Sequence, residues 1–185
     1  NSPKGFTLGD KQYPSDIFMK WSVEEKEAIG IHEVIFDDSN KKDEAWYINT
    51  NQSYAFANDT VTATYGIATP KAHADTNATE ADGVELDPVV VIPGLKTKLI
   101  KNLKITVANE LAKTDWYITR NTEKTTAIPS SISTHRDAVR TKQAAQEAQI
   151  TDASDTAALE TLHTYTTDAN GVQSRPLGTL PTLEI

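Results

Sequence analysis

Cysteine is absent from the 185 residues of this chain. Disulfides, thiolate-bound zinc, iron–sulfur clusters and cysteine nucleophiles are therefore all excluded. Positive charge is in deficit, because 18 lysines and arginines stand against 26 acidic residues and leave a net charge of −8. Nucleic acids and anionic membranes attract proteins with a basic surface, so we expect neither as a partner. Apolar runs of the roughly 20 residues that a membrane-spanning helix needs are also missing.

Aromatic side chains are scarce, at 7% of the chain. Sites that process glycans generally need paired carboxylates in an aromatic-lined cleft, so this scarcity argues against a host-surface glycan-binding or hydrolytic module. The start of the sequence, Asn1 to Lys4, has no apolar signal core, and the single methionine is the internal Met19. We therefore expect a processed, truncated or renumbered N-terminus.

Residues 1–68 carry the signals of a small α+β unit. Ser22 and Glu25 have the spacing of a capping box, which starts a helix at residue 23, and Gly30 ends that helix. Alternating apolar residues predict three strands, over 31–35, 45–49 and 60–68. These elements together predict a few antiparallel strands packed on one short helix.

Residues 69–94 differ from both flanking regions. Five carboxylates fall within thirteen positions, with no cation among them, at Asp75, Glu80, Asp82, Glu85 and Asp87. Prolines at 70, 88 and 93 interrupt the segment. We interpret it as an acidic linker or loop with one edge strand over 89–92.

A helical hairpin is predicted from residue 95 onward. Five apolar residues recur every four positions and predict an amphipathic helix over 95–113, namely Leu95, Leu99, Leu103, Val107 and Leu111. Ile105 points away from this stripe, and it is either a single exposed aliphatic or part of a second contact surface. A second helix over 130–149 places Val139 on one face with Ile132 and Ile150, and a shorter helix completes residues 95–165.

The C-terminal segment, residues 166–185, has no helical period. Glycines and prolines interrupt it at 171, 176, 178 and 181. Its aliphatic side chains, which include Leu177, Leu180 and Leu183, have no periodic face to bury against their own fold. We therefore expect an extended tail that a neighbouring subunit orders as an added strand or in a groove.

Catalytic and metal-binding motifs are incomplete. His135-Arg136-Asp137 resembles the start of a protein-kinase catalytic loop, but Lys142 stands where that loop has its magnesium-binding asparagine, and we expect the string on a solvated helical face. The G-x-S-x-G elbow of many hydrolases does not occur. The acidic turns lack the glycine and the terminal carboxylate of a calcium loop. We therefore predict no catalytic residue, no metal site and no cofactor.

Short motifs in the helical half resemble one family. They are Asp115-Trp116-Tyr117-Ile118-Thr119-Arg120, then Ala127-Ile128-Pro129, then His135-Arg136-Asp137-Ala138-Val139-Arg140. This succession of a leucine helix, a D-W-x-x-x-R segment, an I-P turn and an R-x-x-V-R helix resembles the C-terminal region of tailed-bacteriophage tail proteins. Tail-fibre assembly and tail-chaperone-like proteins carry such segments, as do fibre- and baseplate-associated virion proteins.

The resemblance implies a non-enzymatic tail component that binds other tail subunits in a homo- or hetero-oligomeric assembly. Such a protein is made in the host cytoplasm and resides in the virion. The resemblance also implies structural roles, with Trp116 wedged between helices, Arg120 bracing a turn and Pro129 starting a helix. A soluble tail assembly chaperone that is absent from the finished particle is the alternative.

Overall fold

A computed structural model describes residues 5–50 and 52–183. The expectation about the N-terminus concerns residues 1–4 and lies outside the described residues, as do the last two residues of the predicted tail. The chain divides into two compact units, Asn1–Thr69 and Pro70–Ile185. We call them the N-terminal and the C-terminal unit. The fold class is α+β, as the sequence predicts.

The N-terminal unit consists of short elements. They are β1 (Phe6–Leu8), β2 (Lys11–Tyr13), α1 (Ile17–Lys20), α2 (Val23–Glu27), β3 (Val34–Asp37), β4 (Tyr47–Ile48), β5 (Ser53–Ala57) and β6 (Thr60–Thr64), with β7 (Thr69–Pro70) at the unit boundary. The predicted capping box is confirmed, because Ser22 Oγ accepts from the Glu25 amide at 3.2 Å and Glu25 Oε2 accepts from the Ser22 amide at 2.8 Å. Gly30 has φ of +82°, as expected of a left-handed residue after a helix.

The main sheet of the N-terminal unit has the strand order β3-β6-β5. Strands β5 and β6 form an antiparallel hairpin whose turn residues, Asn58 and Asp59, both have positive φ. Strand β3 pairs with β6 in the parallel direction, beside the antiparallel pairs that the sequence predicts. The long connection between β3 and β6 contains β4 and β5, and this gives the chain enough length to return in parallel.

The C-terminal unit contains the longer helices. Its elements are β8 (Thr76–Asn77), β9 (Val91–Ile92), α3 (Leu95–Ala112), α4 (Asp115–Lys124), α5 (Ser130–Asp152), α6 (Thr156–His163), β10 (Thr166–Thr167) and β11 (Gln173–Ser174). Helices α3 and α5 pack along each other, as the hairpin prediction requires. Helix α4 is not among the predicted elements, and it begins where the apolar period of α3 stops.

The core of the C-terminal unit is small and mostly aliphatic. Its buried hydrophobic side chains are Val107, Ile132, Val139, Ile150, Ala153, Leu159 and Leu177. The prediction that Val139 shares a face with Ile132 and Ile150 is confirmed, since all three are buried. Leu177 belongs to the segment that was expected to need a neighbour, and it is buried within its own unit instead.

The acidic segment is attached to the start of α3. Strands β8 and β9 pair in the antiparallel direction, with Thr76 opposite Ile92. Asp75 Oδ1 accepts hydrogen bonds from the Gly94 amide at 2.8 Å and from Thr97 Oγ1 at 2.7 Å. These bonds lower the pKa of Asp75, Thr97 contributing the largest part. A Cβ at position 94 would lie 2.3 Å from the Ala74 carbonyl oxygen, so only glycine fits this close approach.

Candidate functional site

Helix α4 presents two aromatic rings and an arginine together. The rings of Trp116 and Tyr117 have centroids 3.8 Å apart and are inclined by 34°. The guanidinium carbon of Arg120 lies 4.7 Å from the Trp116 ring centroid and 5.6 Å from that of Tyr117. We call these three residues the α4 cluster. Its cation–π geometry holds Arg120 on the rings one helical turn further along.

Trp116 is 51% exposed, so the prediction that its indole is buried between helices is wrong. The physical reason is that Arg136, and not Trp116, fills the turn between α3 and α4. Arg120 is half-buried and rests on the aromatic rings, which does not match its expected role in bracing a turn.

Arg136 closes the turn between α3 and α4. Its Nη1 donates to the Leu111 carbonyl and to Thr114 Oγ1, each at 2.7 Å, and lies 2.8 Å from Asp115 Oδ1. The Leu111 carbonyl belongs to the last turn of α3, where carbonyls lack α-helical partners, and Thr114 is the N-cap of α4. Arg136 is 8% exposed, and Thr114 is also buried. One charged side chain thereby holds the end of α3 and the start of α4.

The prediction that His135-Arg136-Asp137 lies on a solvated helical face is wrong for His135 and Arg136, which are both buried. His135 is 7% exposed, and its Nε2 lies 3.5 Å from Glu110 Oε1 on α3. Glu110 also pairs with Lys113, and the pKa of Glu110 is lowered, first by Lys113 and then by His135. Asp137 alone faces solvent, where it pairs with Arg140 at 3.2 Å. The helical period explains this division, because positions 132, 135, 136 and 139 share one side of α5.

The C-terminal segment lies against α5 and α6 of its own unit. Gln146 Nε2 donates to the carbonyls of Leu177 at 3.1 Å and Gly178 at 3.2 Å, and the Leu177 amide donates to the Leu162 carbonyl at 3.0 Å. Arg175 stacks over the Tyr165 ring at 5.2 Å. Leu177 itself is only 4% exposed, so the expectation that it has no face to bury against its own fold is wrong.

A groove of about 410 Å³ runs beside this segment. Leu99 and Leu103 of α3 line one side, and Leu180 and Pro181 of the segment line another. Leu180 and Leu183 are both half-buried. His163 also lines the groove, and burial lowers the pKa of its imidazole against the smaller raising effect of its hydrogen bond to the Leu159 carbonyl.

The other predicted interaction residues differ in their surroundings. Ile105 is 51% exposed on the outer side of α3, as its position in the apolar period predicts. Pro129 is exposed and starts α5, where its carbonyl accepts from the amides of Ile132 at 3.0 Å and Ser133 at 3.2 Å. Val139 is fully buried, so its side chain packs inside the unit. The structure therefore does not bring the predicted residues into one site.

Two residues with prominent roles were not predicted as site residues. Arg136 and Gln146 are both polar, lie on the buried side of α5, and bind backbone carbonyls. Their signal in the sequence is their helical spacing from Ile132, Val139 and Ile150, which places them on the apolar face. A polar side chain on such a face has to find a partner inside the protein.

Comparisons of the chain with protein-family models, curated proteins and solved structures found no significant match. Within residues 5–50 and 52–183, no group of three or more histidine, aspartate or glutamate side chains is placed to hold a metal ion. None of the described helices is both long and apolar enough to cross a lipid bilayer.

Proposed function

We propose that this chain is a non-enzymatic structural component of a bacteriophage tail and that it binds other tail subunits through the α4 cluster. The observation that carries the proposal is the half-exposed Trp116 with Arg120 stacked on it, within the D-W-x-x-x-R segment that resembles phage tail proteins. Tryptophan, tyrosine and arginine are the residues most enriched in the energetic centres of protein interfaces.

The start of α4, which carries the α4 cluster, is held in place by Arg136. Asp115 precedes Trp116 and is held by Arg136, which also binds the end of α3. Stacking of Trp116, Tyr117 and Arg120 restricts all three side chains before any partner arrives. A surface that is ordered in advance loses less conformational entropy on binding, so more of the contact energy remains as affinity.

The cluster also indicates the chemistry of its partner. Its rings require an apolar depression, and Arg120 has no carboxylate at ion-pair distance among the described residues of its own chain. A neighbouring tail subunit that offers an apolar pocket beside an acidic side chain would satisfy both requirements.

The test uses the phage that encodes this chain. Mass spectrometry of purified particles is expected to detect the polypeptide, and Trp116→Ala and Arg120→Ala are each expected to reduce its incorporation. Ile118→Ala is the matched control, because this residue is also exposed on α4 but lies outside the cluster. A polypeptide that occurs with tail proteins in lysates but not in finished particles would support the assembly chaperone instead. Normal incorporation of both cluster variants would refute the role of the cluster.

A further inference from the structure

Residues 76–92 of the C-terminal unit form an exposed hairpin that is both acidic and aliphatic; we call it the acidic hairpin. Strands β8 and β9 pair at its base, and a Thr79–Glu85 bridge lies near its tip. Its exposed carboxylates are Glu80, Asp82, Glu85 and Asp87. Its exposed aliphatic residues, between 49% and 60% accessible, are Val84, Val89, Val90, Val91 and Ile92. Such a concentration of exposed valine and isoleucine indicates a surface that another protein covers.

Helix α3 carries a second exposed surface with the opposite charge. It consists of Thr97, Lys101, Lys104, Ile105 and Ala108, whose spacing places them along one stripe of the helix. We call it the lysine face. A shallow depression of about 520 Å³ follows it. Lys104 lies 3.8 Å from Glu147, and Lys101 forms no ion pair among the described residues. Cations thus flank an exposed isoleucine in a chain whose net charge is −8.

We propose that two copies of this chain pair reciprocally, with the acidic hairpin of each copy on the lysine face of the other. Four carboxylates that form no ion pair among the described residues meet the unpaired Lys101 and the exposed Lys104, whose ion pair with Glu147 is long at 3.8 Å. Valine and isoleucine side chains meet Ile105 and Ala108. Opposite charges at the rim and apolar contact at the centre are the usual arrangement of a protein interface.

The area favours a reciprocal contact over a single one. An exposed valine or isoleucine residue offers on the order of 150 Å² of surface, so the five half-exposed residues of the acidic hairpin offer about 400 Å². Stable specific interfaces bury about 800 Å² on each partner. One hairpin on one lysine face reaches half of this value, whereas two-fold pairing uses both surfaces of both copies.

The hairpin leaves the lysine face of its own copy open. Asp75 binds Gly94 and Thr97, which attaches the base of the hairpin to the first turn of α3. Ile105, two turns further along, remains half-exposed, and so do the aliphatic residues of the hairpin. Both surfaces of a single copy are therefore accessible to a second copy.

Sedimentation velocity of the full chain tests the pairing. We expect a dimer whose dissociation constant rises at least about tenfold between roughly 0.05 M and 0.5 M salt, because screening weakens the contacts between exposed charges. The double variant Lys101→Glu/Lys104→Glu and the double variant Glu85→Lys/Asp87→Lys should each be monomeric. Lys11→Glu/Lys124→Glu is the matched control, since it makes the same change of charge at exposed positions outside both surfaces and should still dimerise.

Mixing the two reversed variants gives the sharpest result. The homodimer of the helix variant would place like charges together, and the hairpin variant, with two of its four carboxylates reversed, would set a hairpin of no net charge against the lysine face. In the mixed dimer the unchanged hairpin meets the unchanged lysine face, and the two reversed sets of charges meet each other, so the mixture should regain dimers. Circular dichroism confirms that each variant is folded. In the wild-type chain, carbodiimide crosslinks between isotope-labelled and unlabelled copies should join Lys101 or Lys104 to the acidic hairpin. A wild-type chain that stays monomeric to about 0.2 mM, or a folded mixture without dimers, would overturn the proposal.

Discussion

Replacing Arg136 by methionine should destabilise the C-terminal unit, although no ligand or partner is involved. Methionine keeps most of the length of the side chain and removes the charge and the donors. The Leu111 carbonyl and Thr114 Oγ1 would each lose a hydrogen bond to a charged group, and Asp115 would lose its ion pair.

The magnitude follows from the surroundings of each contact. A hydrogen bond to a charged group contributes about 1.5–3 kcal/mol, but both bonds come from one nitrogen and are not independent. Asp115 is mostly exposed, so its ion pair adds less than about 1 kcal/mol. We therefore expect Arg136→Met to lower the free energy of unfolding by about 2–4 kcal/mol. Thr114→Val removes the hydroxyl that accepts from Arg136 and donates to the Leu111 carbonyl, and it should cost about 1–2 kcal/mol.

Urea unfolding followed by circular dichroism measures these changes. Arg140→Met is the matched control, since Arg140 lies one turn further along α5, is half-exposed and pairs with Asp137 at the surface. We expect it to change the stability by less than about 0.5 kcal/mol. If Arg136→Met and Arg140→Met unfold alike, Arg136 does not hold the turn.

Three further predictions concern other parts of the C-terminal unit. Trp116→Ala should cost about 1 kcal/mol or less in a thermal melt, because half of the residue is exposed; a loss above about 3 kcal/mol would mean that the indole is core. Leu177→Ala should cost about 2–4 kcal/mol, and the Leu177 amide should be protected from hydrogen exchange in the isolated chain; rapid exchange would contradict the packing of this segment on its own unit. The pKa of His163 is lowered in the folded chain, so the unfolded chain binds more protons and the free energy of unfolding should decline as the pH falls through about 6.5. His163→Gln should remove this part of the decline, and a variant with the pH profile of the wild-type chain would contradict the prediction.

The parts of the fold that the sequence predicts correctly rest on local spacing. The capping box depends on two side chains three residues apart, and the left-handed conformation at Gly30 depends on one residue. The outward position of Ile105 and the burial of Val139 follow from the helical period alone. None of these needs knowledge of a distant part of the chain, which is why one sequence is sufficient to derive them.

The predictions that are wrong depend on contacts between distant residues. The resemblance implies an indole wedged between helices after the first helix of the hairpin, whereas α4 starts there and the turn before it is closed by Arg136, which lies 25 positions after Leu111. The tail has no periodic apolar face, yet Leu177 is buried in its own unit, where its backbone is bound by Leu162 and Gln146. Strand β5 is not among the predicted elements, although Tyr54 and Phe56 alternate with small residues; its five residues are all exposed, and its pairing with β6 defines it.

The small aliphatic core of the C-terminal unit explains why some predictions from the sequence are correct and others are wrong. Few large apolar side chains are buried in the C-terminal unit, so the ends of its helices and its C-terminal segment are joined by Arg136 and Gln146 through backbone carbonyls. Directional bonds of this kind fix the geometry of a turn while burying little apolar surface. Trp116 and Ile105 are then not needed for the core and remain on the surface of rigid helices. The hydrogen bonds of Arg136 and Gln146 to backbone carbonyls cannot be predicted from hydrophobic spacing. Because they hold the unit together, Trp116 and Ile105 remain available for partners.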